Sequence, residues 1–245
     1  MTDTVVRIGE NLRQVQARIA EAAARAGRDP SEALLVGISK THGIEVIQAA
    51  YEAGLRHFGE NRVYEAEGKI REARTLLPAD VVWHMVGHIQ SRKARDAAPL
   101  FDWIHSVDRL KIARRLSDAA TEGRPVRALL QVNISGEESK FGFDLSRWPE
   151  DEAQAEHFFA EVEQILALPG LEVQGLMTLA PYTDEPETVR PVFRRLRELR
   201  DVLRERFPGV EWPHLSMGMS GDYEVAVEEG ATMVRVGTAI FGPRE

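Results

Sequence analysis

The residue best placed for covalent chemistry is Lys40, which follows the apolar run ALLVGIS at 33–39. The chain has five lysines and otherwise takes its positive charge from arginine, and only Lys40 follows an apolar run directly. A lysine in that position is partly removed from water, which favours the neutral amine and frees it to attack an aldehyde. The alternative is a lysine in a surface salt bridge, and position alone does not separate the two.

Small and hydroxylated residues cluster around the last two apolar runs. HLSMGMSGD at 214–222 contains Ser216, and VRVGTAIFG at 234–242 contains Gly237 and Thr238. Small residues let backbone N–H groups approach a phosphate, and hydroxyls add further donors. The two segments together indicate a phosphate site, although ordinary turn chemistry also produces each pattern alone.

Arg235 lies within the last apolar run, where a buried guanidinium is costly unless it has a partner. It is interpreted either as a donor to a bound ligand or as half of a structural ion pair. Asn61 and Asn133 are further amides near the ends of apolar runs. His84 and His88 could share one face of an extended strand, but no convincing third ligand is nearby. We therefore predict packed or hydrogen-bonded histidines and no metal site.

Positioning these residues requires a scaffold that brings the ends of several strands together. Residues 5–26 predict an amphipathic N-terminal helix. After it, eight apolar runs alternate with helical patterns, which predicts a parallel sheet closed into a single (β/α)8 TIM barrel, with its site at the C-terminal strand ends. An open doubly wound sheet is the alternative, disfavoured because no G-x-G-x-x-G follows the first run. The runs are 33–39, 56–59, 81–86, 103–107, 127–134, 173–180, 213–217 and 232–237.

Composition excludes several classes of protein. The net charge of −8 disfavours a nucleic-acid partner, and the absence of cysteine excludes disulfides and thiolate metal sites. The charged N-terminal segment lacks both a signal core and a spanning stretch, so we expect a cytoplasmic protein without membrane contact. No shift of composition marks a boundary, so we expect one domain over 1–245, with a mobile rim loop at 136–150.

Over nearly its whole length the chain resembles the pyridoxal phosphate homeostasis protein family. The resemblance implies a monomeric barrel like the N-terminal domain of alanine racemase, which is fold type III among proteins that bind pyridoxal 5′-phosphate (PLP). Two departures are visible: His42-Gly43 stands where Lys-Pro is frequent, and Arg92 where Asn is frequent. The matching segments are GISKT (37–41), FGENRVYEAEGK (58–69), WHMVGHIQSRK (83–93), IHSVD (104–108), LLQVNISGEESKFGF (129–143), GLMTLAP (175–181) and LSMGMSGDYEVAVEEGATMVRVGTAIFG (215–242).

The resemblance also implies roles for individual residues toward PLP. Lys40 would form the Schiff base, and Arg235 would face the pyridine nitrogen. Lys140 matches a second lysine that is associated with PLP handling in the family. The phosphate would be contacted by Ser216, Gly237 and Thr238, and Asn61 and Met217 would lie near the cofactor.

The first functional hypothesis is a non-catalytic carrier or regulator that holds PLP and delivers it to apo-enzymes. An arginine only donates, so it favours an unprotonated pyridine nitrogen and a weaker electron sink, although racemases of this fold tolerate that. Racemases of this fold resemble a longer chain with an added domain and a partner tyrosine, and this sequence ends at Glu245. The alternatives are a small fold type III enzyme, such as an amino-acid racemase or aldolase, and a barrel enzyme that uses Lys40 without PLP.

Overall fold

The computed structural model describes residues 2–243 and contains a closed barrel of eight parallel strands. The strands are β1 (Leu34–Ile38), β2 (His57–Glu60), β3 (Val82–Met85), β4 (Trp103–Val107), β5 (Val126–Asn133), β6 (Phe143–Asp144), β7 (Leu171–Met177), β8 (His214–Ser216) and β9 (Met233–Val236). Their order is β4-β3-β2-β1-β9-β8-β7-β5, and pairing of β5 with β4 closes the ring. β6 pairs only with the end of β5 and lies outside the ring. The prediction of a (β/α)8 barrel is confirmed.

Helices follow the strands and cover the barrel. They are α1 (Thr2–Arg25), α2 (Ile44–Glu52), α3 (Val63–Leu76), α4 (Ala94–Ala97), α5 (Leu110–Ser117), α6 (Glu152–Leu166), α7 (Arg190–Arg206), α8 (Tyr223–Glu228) and α9 (Thr238–Phe241). The additional helix α1 buries one apolar face, which includes Ile8, Leu12 and Val15. Within residues 2–243, no helix combines the length and the apolar character needed to cross a membrane.

The apolar core has two parts. The larger part lies between the strands and the helices and includes Phe58, Trp83 and Trp212. A smaller cluster joins Trp103, on β4, to Leu129, Met177 and Met233 on strands β5, β7 and β9. Because β4 and β9 are not neighbours in the ring, this cluster fills the barrel interior.

The stretch 136–150 differs from the predicted surface loop. Residues 143–144 form β6. Three apolar side chains of the stretch 136–150 are buried: Phe143, Leu145 and Trp148. Phe143 packs edge-on against Phe158 of α6, with 5.2 Å between ring centroids. The apolar residues within this Gly- and charge-rich segment therefore anchor its second half to the core.

Candidate functional site

Lys40 lies in the turn that follows β1, at the C-terminal end of the barrel, and its side chain is partly buried. Thr41 follows with φ of 70°, in the left-handed region. A non-glycine residue in that region is strained and persists only where its surroundings hold it. Here the Thr41 N–H donates to the Glu65 carboxylate at 2.8 Å, and the His42 N–H donates to the Ser39 carbonyl at 3.1 Å. The backbone therefore presents Lys40 from a defined turn.

A buried ion pair supports this turn. Lys69 Nζ, on α3, donates to Glu60 Oε1 at 2.7 Å and to the Ser39 carbonyl at 2.9 Å. Ser39 Oγ donates to the same Glu60 oxygen at 2.7 Å. Burial raises the pKa of Glu60, while Lys69 and then Ser39 oppose that rise. Lys69 thus fixes the carbonyl that precedes Lys40, a contact that the sequence did not suggest.

The connection after β8 carries a second group of donors. The chain reverses at Gly218, whose φ is 94°, and a Cβ there would come 2.7 Å from Ala226 Cβ. Beyond the turn, the Met219 N–H donates to Asp222 Oδ1 at 2.5 Å. This fold of the loop places Ser220 beside the end of β9, where Ser220 Oγ accepts from the Gly237 N–H at 3.2 Å.

Gly237 lies next to the end of β1, because β1 and β9 pair in parallel. A Cβ on Gly237 would come 3.4 Å from both the Cβ and the carbonyl oxygen of Ile38. Helix α9 starts at Thr238, and its first backbone bond is the Ile240 N–H to the Gly237 carbonyl at 2.9 Å. The amides of Thr238 and Ala239 therefore precede the helical ladder. The structure brings Lys40, Gly237 and Thr238 to adjacent strand ends.

Arg235 is almost fully buried, and its guanidinium is held on two sides. Nη1 donates to Ser216 Oγ at 2.5 Å, and Nη2 donates to the Thr178 carbonyl at 2.8 Å. Within residues 2–243, no carboxylate lies at ion-pair distance from it. Burial lowers the pKa of Arg235 to about 10, with Asp222 opposing, so the group stays charged at neutral pH. The alternative of a structural ion pair is therefore not what the structure contains.

Ser216 and Ser220 occupy different places, although the sequence singled out Ser216. Ser216 is fully buried, and its hydroxyl lies between Arg235 and His105 Nδ1, 2.9 Å away. Ser220 is the serine next to Gly237, and sequence reasoning missed it as a site residue. Its only signal was its place as the second serine of SMGMS. The prediction that Ser216 contacts a phosphate stays a prediction, and the geometry favours Ser220.

Three further candidates lie around these groups. Met217 is fully buried in the apolar core between strands and helices. Asn61 is half-buried and lines a groove of about 540 Å³, together with Arg62 and His88. Lys140 lies in the loop after β5 and contacts Glu137. Burial lowers the pKa of Lys140 while Asp222 raises it.

The two histidines of WHMVGH do not share a strand face, and both are hydrogen-bonded, as predicted. β3 ends at Met85, and His88 lies beyond it, with its Nδ1 2.7 Å from Asp108 Oδ2. His84 points instead into the barrel, where its two ring nitrogens contact His57 and His105. In the described range, no set of three or more metal-ligating side chains is arranged around a common point.

Comparisons with known proteins agree with this fold. Residues 11–245 match the family model described as alanine racemase, N-terminal domain. The pyridoxal phosphate homeostasis protein of Pseudomonas aeruginosa is 46% identical over 97% of this chain and 96% of its own length. Among solved structures, PipY of Synechococcus elongatus PCC7942 with PLP bound is 40% identical, with a TM-score of 0.80 over 96% of this chain and 100% of that one.

The alanine racemase of Streptomyces coelicolor A3(2) is similar in fold alone. It is 21% identical, with a TM-score of 0.73 over 98% of this chain but only 59% of the racemase. The full-length relatives, by contrast, match this chain from end to end at well above 30% identity. The chain belongs to the pyridoxal phosphate homeostasis protein family.

Proposed function

We propose that this chain binds PLP at the barrel mouth as a Schiff base on Lys40 and serves in PLP homeostasis as a carrier. One observation supports this above the others: Lys40 follows β1, Gly237 and Thr238 follow β9, and β1 and β9 are paired neighbours in the barrel. These are the two anchors that an aldehyde bearing a phosphate requires. The name of the Pseudomonas aeruginosa relative and the PLP bound to PipY support the same ligand.

The donor set fits the chemical groups of PLP. Ser220 Oγ, Gly237 and the amides that start α9 suit a phosphate, since small residues and backbone donors favour anions. The guanidinium of Arg235 has more N–H donors than the two it uses, so others can meet a ring nitrogen. When bound, PLP would supply an electrophilic aldehyde and an electron-withdrawing ring.

Other residues take supporting roles in this proposal. Ser216 would act on the ring side by holding Arg235, and Met217 would pack behind the loop that carries Ser220. Asn61 would border the cofactor from the end of β2. Lys140 would handle PLP on its way in or out, as the family resemblance implies, and burial lowers its pKa, which favours the neutral, nucleophilic amine. We further propose one domain over 1–245 that works as a monomer in the cytoplasm.

The names of the full-length relatives support a carrier or regulator rather than an enzyme, and the chemistry of Arg235 is compatible with that role. Arg235 stays charged at neutral pH and can only donate, so it favours an unprotonated ring nitrogen. An unprotonated ring withdraws electrons weakly and stabilises a carbanion poorly. A weak electron sink is compatible with retention and transfer of the cofactor.

Transfer is tested by mixing the PLP-loaded chain with an apo PLP enzyme while a phosphatase destroys PLP that reaches solution. We expect the apo-enzyme to gain activity from the loaded chain, and to gain none from an equal amount of free PLP. The matched control is Lys40→Ala that has been through the same loading procedure. Equal activation by the loaded chain and by free PLP would contradict delivery.

The enzyme alternative is tested by a chiral assay of alanine with excess PLP. We expect negligible racemisation, because the relatives that match this chain over nearly its full length are named as homeostasis proteins and Arg235 leaves the ring a weak electron sink. Robust racemisation that Lys40→Ala abolishes would replace the carrier with a small fold type III enzyme. Absence of any PLP absorption from the purified and loaded chain would favour a barrel enzyme that works without PLP.

A further inference from the structure

A series of hydrogen bonds runs from Arg235 through Ser216 to three histidines inside the barrel: His105, His84 and His57. His105 Nδ1 is 2.9 Å from Ser216 Oγ, and His105 Nε2 is 2.9 Å from His84 Nδ1. His84 Nε2 is in turn 2.9 Å from His57 Nδ1. His105 lies on β4 and Ser216 on β8, which are not neighbours in the ring. The chain of bonds therefore crosses the interior, from the mouth toward the start of β2.

The guanidinium fixes the direction of every bond in this chain. Arg235 can only donate, so Ser216 Oγ accepts from it. No other acceptor within residues 2–243 lies within hydrogen-bonding distance of the Ser216 hydroxyl, so its hydrogen goes to His105 Nδ1. The reverse order would leave that buried hydroxyl without an acceptor, at a cost of about 1–3 kcal/mol.

The tautomers follow from that direction. A neutral histidine has one donor nitrogen and one acceptor nitrogen. His105 accepts at Nδ1, so it carries its hydrogen on Nε2 and donates to His84 Nδ1. His84 then carries its hydrogen on Nε2 as well and donates to His57 Nδ1. One buried arginine thus sets the tautomers of His105 and His84, and makes His57 an acceptor at Nδ1.

The surroundings of His84, His105 and His57 favour the neutral form of each ring. Burial lowers the pKa of His84 and of His105 far below the ordinary value, and neighbouring His57, His214 and Arg235 add to the effect. Burial also lowers the pKa of His57, against an opposing influence of Asp102.

We propose that His105 is a positioning residue that aims Arg235 at the ring nitrogen of the cofactor through Ser216. His84 and His57 hold His105 in the tautomer that this requires. With its hydrogen committed to His105, Ser216 presents a lone pair to Nη1, while the Thr178 carbonyl holds Nη2. These two contacts orient the guanidinium. The step to a ring nitrogen rests on the proposed function.

The first test uses the PLP-free chain and 15N NMR of its histidine rings. Between about pH 6 and 8, His84 and His105 should be neutral, with the hydrogen on Nε2 in both. In Ser216→Ala, His105 should lose this uniform tautomer, because nothing then donates to its Nδ1. A hydrogen on Nδ1 of either ring, or a charged ring in that range, would overturn the proposed order.

The second test compares PLP with its 1-deaza analogue, in which a C–H replaces the ring nitrogen. His105→Leu removes the acceptor for Ser216 and should lower affinity for PLP about tenfold, as expected for one well-aligned hydrogen bond to a charged group. Its affinity for the deaza analogue should change little. His105→Asn, which keeps an oxygen near the Nδ1 position, should restore most of the preference for PLP.

Two outcomes would overturn positioning by His105. Equal losses for PLP and the deaza analogue in His105→Leu would mean a general defect of the pocket. An Asn variant that behaves like the Leu variant would mean that the acceptor for Ser216 is irrelevant. Failure of the proposed function looks different, because the wild-type chain would then bind neither ligand while the NMR result still decides the tautomers.

Discussion

At the residue scale, the proposed site depends on a guanidinium that a hydroxyl and a carbonyl hold, with no carboxylate at ion-pair distance among the described side chains. Arg235 makes two hydrogen bonds, to a hydroxyl and to a carbonyl, and burial lowers its pKa to about 10. A buried charge of this kind is expensive for the fold, which makes Arg235 a candidate for ligand binding. The Ser216 hydroxyl already bonds to Arg235 and His105, so Ser220 is the serine we propose for the phosphate at the barrel mouth.

The division of labour between the two serines is tested with pyridoxal, which lacks the phosphate. Ser220→Ala should weaken binding of PLP by about tenfold, since it removes one hydrogen bond to a charged group, and should leave pyridoxal binding unchanged. Ser216→Ala should weaken both ligands, because it acts through Arg235. Equilibrium dialysis with each ligand measures the effects, and equal loss of both ligands in Ser220→Ala would disprove its role.

A matching change at Gly237 tests the same placement from the backbone. Gly237 has φ of −114° and ψ of −78°, and a Cβ there would meet Ile38 at 3.4 Å, so the folding of Gly237→Val is checked first by its urea unfolding midpoint. The added side chain should exclude the phosphate and weaken PLP more than pyridoxal. Unaltered PLP binding in a folded Gly237→Val chain would remove the phosphate from this strand end.

Some of these residues could be read from the sequence and others could not. Lys40 and Arg235 could be recognised because a charged residue within or directly after an apolar run is unusual and easy to detect in the sequence. Ser220 could not be chosen over Ser216, because the turn at Gly218 decides which serine returns to β9. The role of His105 could not be predicted from the sequence, because its partner Ser216 is 111 residues away and contacts it across the barrel.

At the scale of elements, the turn that carries Lys40 is tied to β2 and α3. The Glu60–Lys69 pair joins those two elements, with side-chain exposures of 0% and 9%, and also holds the Ser39 carbonyl. Removing one partner of a buried pair leaves the other charge uncompensated. The stability of this pair and the position of Lys40 are therefore linked.

Substitution of Lys69 tests this link. Lys69→Met should lower the free energy of unfolding by about 3–5 kcal/mol and also weaken PLP retention. Lys93→Met is the matched control, since Lys93 pairs with Asp96 at the surface and should cost under about 1 kcal/mol. Urea unfolding measures both variants. Similar small losses in the two would mean that the Glu60–Lys69 pair holds nothing in place.

The pattern of elements was largely predictable, because eight apolar runs separated by helical periods leave few alternatives to a barrel. The bounds of β7 were not, since it starts at Leu171 and pairs through the polar Glu172 with β5. The second half of 136–150 was wrongly predicted as a surface loop. The glycines and charged residues of the whole stretch outweighed three apolar side chains that reach the core. Such anchoring depends on α6, which the local sequence does not reveal.

At the scale of the whole molecule, the three hydrogen-bonded histidines, His57, His84 and His105, cross the barrel interior beside the apolar cluster around Trp103. The folded chain keeps His84 and His105 unprotonated, since burial lowers the pKa of each well below 6.5. The unfolded chain protonates both as the pH falls past that ordinary value. This stabilisation is therefore present above about pH 6.5 and is lost as the pH falls further.

The expected result is a steep loss of stability on mild acidification. Each of the two histidines should contribute a slope of about 1.4 kcal/mol per pH unit below pH 6.5. His105→Asn should reduce the slope by about 1.4 kcal/mol per pH unit, which is the contribution of one proton. His157→Gln, at an exposed position of α6, is the control and should leave the slope nearly unchanged. Urea unfolding from about pH 5 to 7.5 measures the slopes. A flat profile in the wild-type chain would contradict neutral burial of His84 and His105.

The central claim, that Lys40 holds PLP, is tested most directly by trapping the bond. The loaded chain is reduced with borohydride, digested, and mapped by mass spectrometry. The pyridoxyl group should lie on Lys40, and Lys40→Ala should carry none at that site while it keeps its fold, because a lysine at the barrel mouth adds little to the core. A pyridoxyl group found mainly on Lys140, or on Lys69, would contradict the claim.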